Sequence, residues 1–104
     1  MKKLYVVCWG AAWVDAEGNP TTFCGSHKVY ATKAEALKGL VECKDQFYDE
    51  IVNNPDYDEY DVERAKQTTH VYGSEAEEYF EIDYDWLDST NEIQIKIDEV
   101  NMEV

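Results

Sequence analysis

The sequence predicts an α+β domain in which one amphipathic helix packs on a mainly antiparallel sheet of about five strands, in the order ββαβββ. Three observations carry this. Residues 32–54 place Ala36, Leu37, Leu40, Val41, Phe47, Tyr48, Ile51 and Val52 at spacings of three and four, which lines them along one side of a helix. Residues 79–86 alternate instead, with Phe80, Ile82, Tyr84 and Trp86 on one face and Glu81, Asp83 and Asp85 on the other. Residues 93–98 repeat the alternation, setting Ile93, Ile95 and Ile97 against Gln94, Lys96 and Asp98. Each of these segments has one apolar face that water penalises, and laying the helix on the sheet covers them together.

In chain order, residues 3–14 are rich in Tyr, Val and Trp and read as a long first strand with apolar residues on both faces. Gly10, Ala11 and Ala12 thin its middle, where a bulge or a close approach by the helix is expected. Gly18, Asn19 and Pro20 supply a turn, and residues 21–31 resume a strand through Phe23, Val29 and Tyr30, which makes a β-hairpin. With Val14 opposite Thr21, Cys8 falls opposite His27 and Cys24 opposite Ala11, so that Cys8 and Cys24 point to opposite faces. Thr32 and Glu35 have the T-x-x-E spacing of a capping box, and Asn53, Asn54 and Pro55 stop the helix. Residues 55–67 are dense in acids, with Tyr57, Tyr60, Val62 and Ala65 interleaved, and read either as a short helix over 58–66 or as an acidic loop. A short strand over 68–72 follows, and Gly73 and Ser74 open a turn. Another turn is expected over 88–91, and the tail from 101 to 104 is expected to fray.

One domain spanning 1–104 is the expected organisation, since a chain of 104 residues builds a single core. A hydrophobic fraction of 44% argues against disorder despite a net charge of −14. The charge is unevenly placed. Residues 1–44 hold six lysines against four acids, a balance of +2, whereas residues 45–104 hold three basic residues against 19 acids, a balance of −16. Such a field repels nucleic acid and anionic membranes and speeds encounter with basic partners, so neither direct nucleic-acid binding nor membrane binding is expected. The first 14 residues are too short and too broken to span a bilayer, and they carry Trp9 and Trp13 where a signal peptide would want small residues. Cytoplasm is the expected location. Cys8, Cys24 and Cys43 are odd in number and lack C-x-x-C spacing, which points to reduced thiols rather than disulfides or zinc.

The sharpest surface feature is the outward row Glu81, Asp83, Asp85. Same-face neighbours on a strand lie roughly 6 to 7 Å apart, close to the roughly 7 Å between successive phosphates of a DNA strand. With Asp56, Asp58, Glu59, Asp61 and Glu63 the row makes a phosphate-like field, and Tyr57 and Tyr60 are candidate contact aromatics because their acidic segment offers little to pack against. The plain alternative is a solvated face that discourages edge pairing. An EF-hand loop from Asp56 would need glycine at Asp61 and an acid at Gln67, and one from Asp83 also fails, so no metal or other cofactor is expected. Cys24 or Cys8 with His27 supplies the parts of a thiol site, while Cys43 falls near the helix core face and His70 reads as structural. Walker, G-x-S-x-G and H-E-x-x-H patterns do not occur.

The functional expectation is therefore a non-catalytic protein-binding module that engages a basic surface on a partner. Its most concrete form is a DNA-mimic inhibitor of a nucleic-acid-handling protein of the restriction or CRISPR type. The other readings are an acidic accessory or self-associating domain, with a homodimer open, and a small enzyme with a Cys/His or carboxylate site.

Overall fold

A computed structural model describes residues 2–14, 17–53, 59–84 and 91–102, with the side chains of Trp13 and Val14 left aside. The described residues form β1 (Lys2–Val14), β2 (Pro20–Tyr30), α1 (Lys33–Val52), α2 (Glu59–Thr68), β3 (Thr69–Ser74), β4 (Tyr79–Tyr84) and β5 (Asn91–Met102), with a 3-10 turn (Glu75–Glu77) between β3 and β4. The strands make one antiparallel sheet in the order β2-β1-β5-β4-β3. The chain is thus α+β with a five-stranded sheet, and the described part of the acidic segment is helical. Trp86, Asp85 and residues 88–90 of the expected turn lie outside the described residues, whereas Asn91, also expected in that turn, opens β5 opposite Tyr84.

α1 starts where its cap residues place it: the Thr32 hydroxyl accepts from the Glu35 N–H at 3.3 Å, and the Asn53 N–H closes the far end on the Asp49 carbonyl at 2.9 Å. Its apolar stripe lies on the sheet. Leu40 and Cys43 join Val7, Ala11, Phe80, Ile82, Ile93 and Ile95 in one buried cluster, with Trp9, Phe47, Ile51 and Ile97 packed around it. Cys43 is core, as its place in the helix suggests. The stripe is also served by Gly39, which the periodicity of large residues does not reveal: it is buried, and its bare backbone lies against the Tyr30 ring. Trp9 meets Phe47 edge-on at 5.1 Å between ring centroids.

Two segments expected as turn or tail belong to the sheet. Gly73 and Ser74 pair with Phe80 and Tyr79, and the chain reverses one step later in the 3-10 turn, where Ser74 Oγ accepts from the Glu77 N–H and Glu78 exits at φ 58. Asn101 and Met102 pair with Lys3 and Lys2, because β1 starts at Lys2 and offers each of them a partner.

The hairpin register departs from the sequence reading. Val14 lies opposite Pro20 rather than Thr21, and this shortened register runs to Cys8 opposite Ser26. A bulge at Val7/Cys8, where β2 carries His27 as the extra residue, then restores the expected register for Val7, Val6 and Tyr5. A one-residue slip turns every side chain to the other face. Gly10 consequently lies opposite Cys24, and Cys8 and Cys24 share a face instead of opposing one another. The bulge sits beside the small residues Gly10–Ala12, not on them.

The helical layer covers one face of the sheet. Alternation sends Val7, Trp9, Ala11, Ile93, Ile95, Phe80 and Ile82 toward it, while Leu4, Val6, Cys8, Gly10, Gln94, Lys96, Glu81 and Asp83 take the opposite, open face. Among the described residues no helix is long and apolar enough to cross a membrane.

Candidate acidic interface

β4 builds the site through parity. Ile82 is fully buried and Phe80 nearly so, which obliges Glu81 and Asp83 to point out of the open face. β5 then contributes a third acid, since its pairing with β4 sets Glu92 opposite Asp83. One carboxylate oxygen from each of Glu81, Asp83 and Glu92 lies within 4.8 Å of the others. Acids on neighbouring strands reach such a spacing through sheet geometry alone, and it is also a spacing that a hard cation bridges. Like charges directly opposite in a sheet repel, and Asp83 and Glu92 are such a pair.

Three ring side chains border the cluster on the same face. The Tyr79 hydroxyl donates to the Glu81 carboxylate, and this bond, reinforced by burial and by the charges of Glu81, Asp83 and Glu92, pushes the phenol up to about 12. β3 places His70 opposite Asp83 and Tyr72 opposite Glu81, with their rings 6.2 Å apart and Tyr72 exposed. Five lysines pair with acids outside the cluster: Lys3 with Glu99 at 3.2 Å, Lys28 with Glu42 at 3.4 Å, Lys44 with Asp45 at 3.0 Å, Lys96 with Asp98 at 3.7 Å, and Lys33 with Glu78.

The sequence-predicted residues divide between two surfaces. Glu81 and Asp83 stand in the cluster. Glu59, Tyr60, Asp61 and Glu63 lie on α2, which packs against α1 through its buried Ala65 and so belongs to the helical layer on the other side of the sheet. Tyr60 is 75% exposed there, but Glu59 and Asp61 also occupy the first turn, where the helix dipole stabilises acids. Asp56, Tyr57, Asp58 and Asp85 lie outside the described residues. Glu92, Tyr79, Tyr72 and His70 were missed by sequence reasoning. Glu92 had a usable signal, because the outward parity of Gln94, Lys96 and Asp98 extends two residues back to it.

The Cys8 and Cys24 thiols and His27 line different hollows. Cys8, Gly10, Cys24, Ser26, Gln94 and Lys96 line a hollow of about 520 Å³ on the open face. His27 lines a smaller cavity of about 150 Å³ with Cys43, Gln46 and Glu50 beneath α1. Its Nε2 lies 3.5 Å from a Glu42 oxygen and makes no hydrogen bond. The Cys43 thiol beside it is pushed up to about 11 by burial, with Glu42 and Glu50 adding to the effect, and it stays protonated at neutral pH. Burial and Asp98 raise the Cys8 thiol as well. No protein-family profile, curated protein or solved structure matches this chain.

Proposed function

We propose that the protein is a non-catalytic acidic module that docks the open face of its sheet, at Glu81, Asp83 and Glu92, on a basic surface of a protein partner. The observation that carries this reading is the Asp83–Glu92 pairing. Acids serving solubility alone are best scattered, whereas these converge from two strands onto the sheet face away from the helices. The strands are rigid, so the charges are fixed before encounter, and Tyr72 and Tyr79 add contact area beside them. The partner is a nucleic-acid-handling protein whose cationic groove the cluster occupies in place of a phosphate backbone, the mode of action of DNA-mimic inhibitors of restriction and CRISPR effectors. Such an encounter takes place in the cytoplasm.

The test uses the tagged full chain and a Glu81→Gln/Asp83→Asn/Glu92→Gln variant as baits in extract from the native cell. Wild type is expected to capture a basic nucleic-acid-binding protein that raised salt and added duplex DNA both release. The variant, whose retained fold is checked by circular dichroism, is expected to capture none of it. Equal capture by both baits, or a partner that duplex DNA does not displace, overturns the proposal.

A further inference from the structure

On the open face β1 gives up its side chain at Gly10, in the middle of the sheet. A Cβ there would meet nothing within 4 Å, so the bare backbone of Gly10 floors the hollow of about 520 Å³. Two thiols stand at its rim, Cys8 from β1 and Cys24 from β2. The shortened hairpin register brings them there. Gly10 lies opposite Cys24 and Cys8 opposite Ser26, so the two cysteines are diagonal neighbours on one face. Both are free thiols, Cys8 half-buried and Cys24 exposed, and the charge of Cys24 acts on Cys8.

We propose that Cys8 and Cys24 form a two-thiolate site for a soft monovalent metal ion, Cu(I), held across the gap that Gly10 leaves. Spacing selects a bridging ion over a direct bond. Diagonal neighbours in an antiparallel pair lie about 7 to 8 Å apart, whereas a disulfide usually wants about 4.4 to 6.8 Å between its Cα atoms. Two metal–sulfur bonds of about 2.3 Å laid end to end hold the sulfurs about 4.6 Å apart, against about 2 Å in a disulfide. The donor set then selects the metal. Thiolates are soft ligands that suit Cu(I), and Cu(I) is satisfied by two of them in line. A structural zinc takes four ligands, and the other polar side chains at the rim, Ser26, Gln94 and Lys96, do not complete such a set. On binding, each thiol gives its proton to solvent as one copper–sulfur bond forms, and the copper stays Cu(I), so no electron moves. The chain's net charge of −14 favours the approach of any cation.

This site shares no residue with the cluster of Glu81, Asp83 and Glu92, and ligand softness separates the two, since carboxylates suit harder ions. The experiment is an anaerobic titration of the full chain with Cu(I), presented as its complex with the chromogenic chelator bathocuproine disulfonate. The expected result is one copper withdrawn per chain of 12.1 kDa, read by the loss of chelate colour and by native mass spectrometry. Cys24→Ser and Cys8→Ser, each checked for fold by circular dichroism, are both expected to lose the copper, while Glu81→Gln/Asp83→Asn/Glu92→Gln keeps it. Alkylation of the wild type gives a readout that needs no variant: Cu(I) is expected to protect Cys8 and Cys24 together. Copper retained by folded Cys24→Ser, one copper shared between two chains, protection of Cys24 without Cys8, or displacement of Cu(I) by an equal concentration of Zn²⁺ overturns the proposal.

Discussion

Gly39→Ala sets two energies against each other at one atom. In a helix interior alanine is favoured over glycine by about 1 kcal/mol, so on propensity alone the substitution stabilises α1. The structure reverses the sign. A Cβ on Gly39 would overlap three atoms of the Tyr30 ring, its hydroxyl oxygen, Cζ and Cε2. That ring is half-buried at the end of β2 and packed on the core cluster, so it cannot swing clear as the tip of a flexible side chain would. Forcing it off its rotamer costs about 0.5 to 1.5 kcal/mol, and overpacking a filled site costs about 1 to 3 kcal/mol. Against the propensity gain, a net loss of about 1 to 2 kcal/mol is expected, read as a lower urea midpoint at unchanged slope and a fall in Tm of about 4 to 8 °C per kcal/mol. The same substitution in a Tyr30→Val background meets no ring, and there it is expected to stabilise by up to about 1 kcal/mol. The sign change between backgrounds is the decisive result. A Gly39→Ala protein more stable than wild type, or an equal loss in both backgrounds, refutes the close approach of α1 and β2.

Glu92→Gln relieves a like-charge pair and is expected to raise stability by about 0.2 to 1 kcal/mol in urea unfolding, while reducing salt-sensitive partner capture. Ultraviolet titration is expected to show one tyrosine ionising at about 12, absent in Tyr79→Phe and lowered toward the ordinary value of 10.0 in Glu81→Gln. Because the folded phenol sits above its unfolded value, its contribution to stability is complete below pH 10.0 and is lost as pH rises through about 12, which unfolding measured across that range checks. The thiol reagent order is expected to be exposed Cys24 first and Cys43 only on unfolding, since Cys43 is 1% exposed and its thiol is pushed up to about 11; labelling followed by peptide mass spectrometry reads this directly.

The parts of the fold legible in the sequence are those whose physics is local. The parity of Phe80 and Ile82 against Glu81 and Asp83 survives any choice of neighbouring strand, because successive residues of a strand point to opposite faces. Thr32 likewise needs only its own helix to accept the Glu35 N–H. What escaped depends on a second segment. The hairpin register turns on whether Val14 meets Pro20 or Thr21, a difference of one residue that moves Cys8 and Cys24 onto a common face. Gly39 is silent in a hydrophobic pattern because its role is the absence of a side chain beneath Tyr30. The acidic site divided for the same reason. Counting acids along the chain joined α2 to β4, yet α2 packs on α1 and Glu81 and Asp83 face the other way, while the partner they do meet, Glu92, comes from β5.

That division bears on where a basic partner meets the sheet. A basic partner drawn to the whole chain by its charge of −14 meets acids on the helical layer and on the open face, but only the open face offers them without helices in front. The same face runs continuously from Glu81 on β4, through Gln94 and Lys96 on β5, to Cys8 on β1 and Cys24 on β2. Charge falls away along that path, from the carboxylate cluster to the uncharged stretch of the outer strand. Attraction to a cationic surface therefore strengthens toward β4.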